Sequence, residues 1–503
     1  MPRALWLSGV ALAGLTAFAA PALAAPPATL TEALVEAYYN NPTLQEQRAT
    51  LRQADENVPT ALSGWRPTVT LQGELGRVTG SEKYGTSSFD SLTQQYVNSS
   101  TKVPENGTEK IGQVTVTQPV YTGGKVSSQT RQAKNDVYAA RAQLLSEEQT
   151  VFANVAQAYV AVMQDQQLLA LQDSNQHVLE QQLKDTQTQF NIGAITMTSV
   201  AQAQASLAQA KQQVTVAQGN LDIARENFRQ LVGDYPADKL APPQPLELPV
   251  DSKAQAGAMA VHNNPDVVSA EFTDSAAKDA VDVAFSALMP QLSLQASAYD
   301  QAGSSGQNNF TRGASFIGQV TVPLYQGGQE YSAIRQAKAK EQQSFAAVLA
   351  AQRKAYSDAT QAWEGMDSSR SAVLAINAAI KANAIALDGT EREELVGTRT
   401  TLDVLNAQQA LLNSQIQQVQ NIAQMVNYSY NIASAIGRLT ARDLKLPVNE
   451  YDDQKYYDAV KYAGFGTGGA ADQKAGIAPD GAMLNAPPTP PVVPVSSSGQ
   501  DSP

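Results

Sequence analysis

Acid–base or nucleophilic chemistry near neutral pH needs imidazole, thiol or paired carboxylates at set spacings. The chain holds two histidines, His177 and His262, and no cysteine. Each histidine lies in a helix-compatible stretch rich in Gln or Asn, with no serine–aspartate partner or metal-ligand spacing around it. Both read as surface or packing residues. No glycine-rich loop of phosphate-cradling form occurs. The sequence assigns no catalysis, no metal and no cofactor. What remains is charge: Glu391, Glu393, Glu394, Arg399 and Asp403 gather around Gly397. Taken alone, they are a solvated cluster at the tip of a helix–turn–helix.

The elements that would carry such a tip follow an export signal. Arg3 precedes an apolar run from Ala4 to Ala20, then Pro21 and Ala22-Leu23-Ala24. That pattern is a secretory signal peptide over residues 1–24, cut before Ala25. No later segment holds ~18 consecutive apolar residues, so no spanning helix is expected in the mature chain. Lack of cysteine excludes disulfides, and also a lipid anchor on an N-terminal cysteine. The formal charge is −12, and no basic patch suggests nucleic acid.

The chain repeats itself. Asn40-Asn41-Pro42 matches Asn263-Asn264-Pro265, and the strand-like Thr68–Gln72 matches Gln291–Gln295, at an offset of about 223 positions. A second offset, about 204, pairs Pro119 with Pro323, Arg131 with Arg335, Gly193 with Gly397 and Gly233 with Gly437. The change of offset puts extra residues around Ser81–Glu109. That segment is rich in Ser, Gly, Asn and Thr and is expected to be a solvated loop. Its counterpart, Asp300–Arg312, is short. Residues 25–249 form a first repeat and 250–446 a second, each running helix, strand, loop, strand, long helix, turn, long helix. Residues 447–503 are a C-terminal extension, rich in Gly, Ala and Pro and expected to be disordered from about residue 464.

Val69, Leu71 and Leu75 alternate with Thr70, Gln72 and Glu74; Val114, Val116 and Val120 alternate with Gln113, Thr115 and Thr117, with Gln118 breaking the pattern. Leu292, Leu294, Ala296 and Ala298 oppose Ser293, Gln295 and Ser297, while Phe316, Val320, Val322 and Leu324 share a face. Period two makes one face apolar and the other wet. On pattern alone, a half-buried sheet in a soluble domain would do the same. The export signal and strands of about ten residues shift the reading to an outer-membrane barrel. Tyr121 and Tyr325 fall where an aromatic girdle would lie. Four strands cannot close in lipid, where open edges leave backbone groups unpaired. Several chains must share one barrel: two would give a filled interior, three would leave a lumen.

From Gly124 to about Phe190 no proline interrupts a helix-compatible run, roughly 100 Å at helical rise. Val137, Leu144 and Val151 recur at sevens, with Tyr138, Leu145, Phe152 and Tyr159 beside them. Val200, Leu207, Val214, Leu221 and Phe228 continue the pattern after a turn. Val404, Leu411, Met425 and Ile432 repeat it, with Gln418 as one break, and Leu405, Leu412, Val419 and Val426 run alongside. A sustained seven-residue period means left-handed coiled-coil packing. Between strand and helix stands the same corner twice. Pro119 and Pro323 cannot donate to a ladder and are expected to end strands. The pairs Gly123-Gly124 and Gly327-Gly328 permit a sharp change of direction.

With these motifs in this order, Leu30 to Leu446 resembles the TolC family of outer-membrane export channels. The most specific strings are Phe190-Asn191-Ile192-Gly193 and the run Gly397–Leu405, GTRTTLDVL. The resemblance implies an α+β membrane protein: a homotrimeric 12-stranded outer-membrane β-barrel, four strands per chain, continuous with a long periplasmic α-helical coiled-coil barrel. It implies a passive exit duct in a tripartite system, met at its periplasmic tip by an adaptor protein and an inner-membrane transporter, ABC type favoured and RND type possible. Gly193 and Gly397 would form the tip turns. Asp403 matches an acidic ring in the constriction, where threefold symmetry crowds like charges around the axis. The next acidic position is Asn406 here, which implies a weaker ring. Arg399 matches an arginine that locks the closed tip to a carboxylate on the neighbouring coiled coil. The matching residue is Ser199, so Glu391, Glu393 or Glu394 would have to serve. Missing the lipid cysteine leans towards type I protein secretion, with small-molecule efflux as the alternative. A soluble periplasmic coiled-coil scaffold without a pore is the structural rival.

Overall fold

The computed structural model describes residues 26–303 and 310–476; the signal peptide lies outside them. In chain order the elements are α1 (Leu30–Asn40), α2 (Pro42–Asp55), α3 (Asn57–Ser63), β1 (Thr68–Asp90), β2 (Gln95–Tyr121), α4 (Lys125–Asn191), α5 (Met197–Val232), α6 (Lys253–Asn263), α7 (Pro265–Phe285), β3 (Gln291–Ala302), β4 (Phe310–Thr321), α8 (Gln329–Leu395), α9 (Thr401–Ala435), α10 (Lys455–Val460) and α11 (Gly469–Ala475). The series from α1 to α5 recurs from α6 to α9. Both long helices, α4 and α8, have 67 residues.

The repeated Asn-Pro starts have a shared physical cause. Asn41 Oδ1 accepts from Thr43 N and Leu44 N, so it caps α2, and Pro42 fills a first-turn position that needs no donor. Its Nδ2 donates to Leu231 O near the end of α5 at 2.9 Å. Asn264 caps α7 in the same way and donates to Ala435 O of α9 at 3.0 Å. Each asparagine thus starts one helix and ties it to the last turn of its own repeat's hairpin.

The strands form one antiparallel sheet in the order β1-β2-β3-β4. Register carries the apolar face across all four: Val69, Val116, Ala296 and Phe316 stand in one row, and Leu71, Val114, Ala298 and Ala314 in the next. The alternate row Thr70, Thr115, Ser297 and Ser315 is polar. Among the described residues nothing covers the apolar side, where Leu71 is 81% exposed and Phe316 74%. Large uncovered apolar surface of this kind marks contact with lipid or protein.

Three expectations need correction. Ser81–Glu109 is no loop: β1 has 23 residues and β2 27, paired almost to their ends, against 12 each in β3 and β4. Polarity predicted a loop, but a hairpin ladder needs only backbone pairing, and Thr, Val and Tyr suit it. The turn is an Asx turn, in which Asp90 accepts from Leu92 N and Thr93 Oγ1 at 2.9 Å each. Second, Pro119 does not end its strand. A register shift between Pro119 and Tyr121 lets β2 pass the missing donor, whereas β4 does stop at Thr321, before Pro323. Third, the extension is ordered through residue 476, and residues 477–503 lie outside the described ones. It holds by borrowing partners. Arg66 Nη1 donates to Ala463 O at 2.7 Å, Tyr456 Oη donates to Glu56 at 2.9 Å, and α11 packs Ala471 and Ala475 on Tyr456 and Val460.

The corners turn on left-handed glycines. Gly124 and Gly328 cap α4 and α8 with φ of 86° and 85°. Gly123 has a second reason, since a Cβ there would come within 2.6 Å of Met289 Cβ. Tyr121 and Tyr325 are exposed beside these turns. The main core lies at the base of the helices, where Tyr38, Leu44, Phe152, Tyr159 and Phe228 pack with Val426 and Tyr430 of α9. Of the heptad residues, Val137, Leu144, Val151, Val200, Leu207, Leu221, Phe228, Val404 and Ile432 are buried, while Val214, Leu411 and Met425 are half-buried. Tyr138 and Leu145 of the neighbouring row are exposed.

Candidate functional site: the hairpin tips

Gly193 and Gly397 end the outgoing helices identically. Ala194 N donates to Gln189 O and Gly193 N to Phe190 O; Thr398 N donates to Glu393 O and Gly397 N to Glu394 O, all at 2.9–3.0 Å. This is the Schellman pattern, and the glycines take φ of 76° and 79° as it requires. The returning helices start differently. In α9, Thr400 Oγ1 accepts from Asp403 N at 3.3 Å, while Asp403 Oδ2 accepts from Thr400 N at 2.9 Å, a capping box. In α5 the equivalent Thr196 makes no side-chain cap, and Ser199 replaces the acid.

Arg399 Nε bonds Glu393 Oε2 at 3.0 Å, within its own hairpin. Of the three candidate acids, Glu393 is the one it reaches in the single chain. The backbone N–H of Thr400, then its hydroxyl and the nearby Arg399 guanidinium, hold the Asp403 carboxyl below the usual range. The bond to Glu393 raises Arg399 above its ordinary value, so both stay charged through neutral pH. Asn406 is exposed one turn along α9. Behind the tips, Leu405 packs with Leu179, Leu207 and Ala210, clamping the two hairpins of the chain together. The corner residues Pro119, Gly124, Pro323 and Gly328 sit at the other end of the long helices, roughly 100 Å from the tips.

One polar cluster at the helix base escaped the sequence reading. Arg48 is 1% exposed, with its guanidinium 4.5 Å from the Tyr38 ring centre and 5.3 Å from that of Tyr451. Glu148 accepts from Ala441 N at 2.7 Å, and burial pushes its carboxyl up. Asp55 is buried nearby, and burial, against the pull of Arg141, pushes it to about 7. Leu44, Arg48, Leu51 and Asp55 make up the buried stripe of α2. Two charges on an otherwise apolar helical stripe were the available signal.

The family model described as outer membrane efflux protein matches residues 33–234 and 257–438. Outer membrane efflux protein BepC of Brucella suis is 33% identical over 466 residues, covering 92% of this chain and 95% of that protein. Outer membrane protein TolC of Escherichia coli is 28% identical over 320 residues, covering 59% of this chain and 64% of that protein. The crystal structure of the outer membrane protein VceC from Vibrio cholerae shares the fold with a TM-score of 0.68 at 19% identity, over 81% of this chain and 96% of that one. The uncovered apolar sheet, the long helical hairpins and these matches agree: the chain belongs to the outer membrane efflux protein family, as a TolC-type channel of the outer membrane with a periplasmic helical portion.

Proposed function

We propose that three copies of this chain close one 12-stranded barrel and one helical tube, forming the exit duct of a tripartite export system. The observation that carries this is the sheet. It has four strands, one continuous apolar face, and two open edges, β1 and β4. Such edges are untenable in lipid unless a neighbouring chain pairs with them. A second feature supports the assembly. α8 contains a stretch of mean hydropathy 1.3, none of it buried within the chain, with Leu374 and Ile385 exposed along it. A neighbouring copy's helices would cover it.

In that assembly the three Asp403 carboxylates face one another across the periplasmic constriction and select cations. Arg399, held by Glu393, braces the turn that keeps the constriction narrow. A periplasmic adaptor and an inner-membrane transporter dock at the tips and supply the energy. The absence of cysteine supports a protein-secretion partner of ABC type. The efflux name of BepC favours the second reading, a small-molecule duct. Cross-linking in cells, detergent extraction and identification of the co-purified transporter test the proposal. A trimer holding an ABC exporter supports secretion, and an RND pump supports efflux. A monomer recovered without detergent refutes the channel.

A further inference from the structure

The long β1–β2 hairpin sorts its charges by face. Register pairs Leu75 with Lys110, Arg77 with Thr108 and Lys83 with Lys102, so all four cations lie on the side that carries Val69, Leu71 and Val114. The acids Glu74, Asp90 and Glu109 alternate to the other side. Lys83 and Lys102 stand directly opposite each other, an arrangement that repels unless an anion lies between. None of Arg77, Lys83, Lys102 and Lys110 has an ion-pair partner among the described residues, and all four are exposed. The helices join the sheet at its Thr68 and Tyr121 end. The hairpin turn therefore points away from the periplasm.

We propose that this basic row is a docking face for phosphorylated glycolipids of the outer leaflet. The inference rests on the barrel reading above, which puts the Val69 side against lipid. Lys110 and Arg77 begin where the apolar band ends, at the level of the first headgroup phosphates. Lys83 and Lys102 lie further out, about 26 Å beyond Leu75 along the strand and about 20 Å in height for a tilted barrel strand. A simple phospholipid headgroup does not reach that second tier, because the whole interfacial layer is only about 5–8 Å thick on each side. A glycolipid carrying phosphate on its sugars does. Continuity with the apolar band and charge complementarity at two heights select this occupant. The acyl chains would lie on Leu71 and Leu75, and the phosphates along the cations.

The test uses the full chain in neutral phosphatidylcholine vesicles containing a labelled phosphorylated lipopolysaccharide, its phosphatase-treated form, or phosphatidylglycerol. Each cation near an anionic lipid surface is worth about 1 kcal/mol, roughly fivefold in affinity. Lys83→Ser with Lys102→Ser should weaken the phosphorylated glycolipid roughly twenty-five-fold, and leave phosphatidylglycerol unchanged. Lys110→Ser should weaken both lipids. Glu74→Gln, on the other face, should weaken neither. Equal single-channel conductance in all variants separates lipid binding from insertion, and a parent that fails to insert refutes the barrel reading itself. With insertion intact, three results overturn the docking face: full glycolipid affinity in the double serine variant, the same loss with the phosphatase-treated form, or an equal loss in Glu74→Gln.

Discussion

Asp55→Asn tests the buried charge at the helix base. Asp55 is 1% exposed, and neither carboxylate oxygen has a hydrogen-bond partner among the described residues. Burial pushes its pKa from 3.8 to about 7; Arg141 pulls it down, and Asp453 and Glu56 push it up. A shift of this size corresponds to about 4 kcal/mol between the two protonation states. Its charged neighbours Arg141 and Asp453 have side chains 16% and 40% exposed, and screening there lowers the expected effect to about 2 kcal/mol. An acid whose folded pKa is raised keeps its proton in the native state after the unfolded chain has released it. The native state is favoured most below about pH 4, loses stability as pH rises to about 7, and is level above that. The asparagine keeps the shape and cannot ionise, so its profile lacks this descent. Glu36 is also pushed to about 7, by burial and then by Asp234 and Glu32, and adds its own descent to both proteins. The quantity to measure is therefore the difference between parent and variant. Urea unfolding of the detergent-solubilised protein from pH 4 to 8.5, with hydrogen exchange in α2 and α10, gives it directly. The variant should match the parent at pH 4 and exceed it by about 2 kcal/mol at pH 8. Parallel profiles, or a variant weaker at pH 8, would show that Asp55 is ionised and solvated.

Other changes address the tips and caps. Asp403→Asn should lower cation preference and cation block of the reconstituted pore; unchanged selectivity removes the ring. Arg399→Ala should raise open-channel conductance with no measurable loss of stability, because the Glu393 pair is exposed. Conductance at the parent level takes Arg399 out of any lock. Asn41→Ala removes an N-cap and the bond to Leu231 O, together about 2 kcal/mol, read as faster hydrogen exchange in the first turn of α2. Exchange at the parent rate would mean that the tie is replaced by solvent.

The sequence was legible where period decides. Alternation at Val69–Leu75 and at Leu292–Ala298 marked the strands, and the Asn-Pro and Gly-Gly pairs marked helix starts and corners. These signals are local: each residue acts through its own backbone or its own face. The long hairpin was not legible, because its ladder rests on backbone bonds that leave no apolar trace in the side chains. Nor was the ordered extension. Arg66 and Glu56 of the first repeat hold Tyr462, Ala463 and Tyr456, and α11 rests on Tyr456 and Val460, contacts that composition does not announce. At the tip, composition placed the charges but not their pairing. Whether Arg399 takes Glu391, Glu393 or Glu394 depends on how the turn closes, which the Gly397 geometry decides.

The two repeats are alike where packing and backbone geometry set the residue, and unlike where charge does. Both have a 67-residue outgoing helix, a left-handed glycine corner and a Schellman turn. They part at the tip, where α9 carries an acidic capping box and α5 carries none. They part again along their outer faces. α4, packed by α1, α2, α3 and α7, buries 21 of its residues, while α8, packed by α6 and α7, buries 10 and leaves Tyr331, Phe345, Tyr356 and Leu374 exposed. In a lone chain the acid serves to cap α9, and these α8 side chains stay exposed among the described residues. In a ring of copies both differences acquire a use, since the less covered helix meets its neighbour and the acidic α9 tip repeats around the axis. The second half has diverged in the two places where one copy would face another, and this asymmetry argues for the ring independently of the strand count.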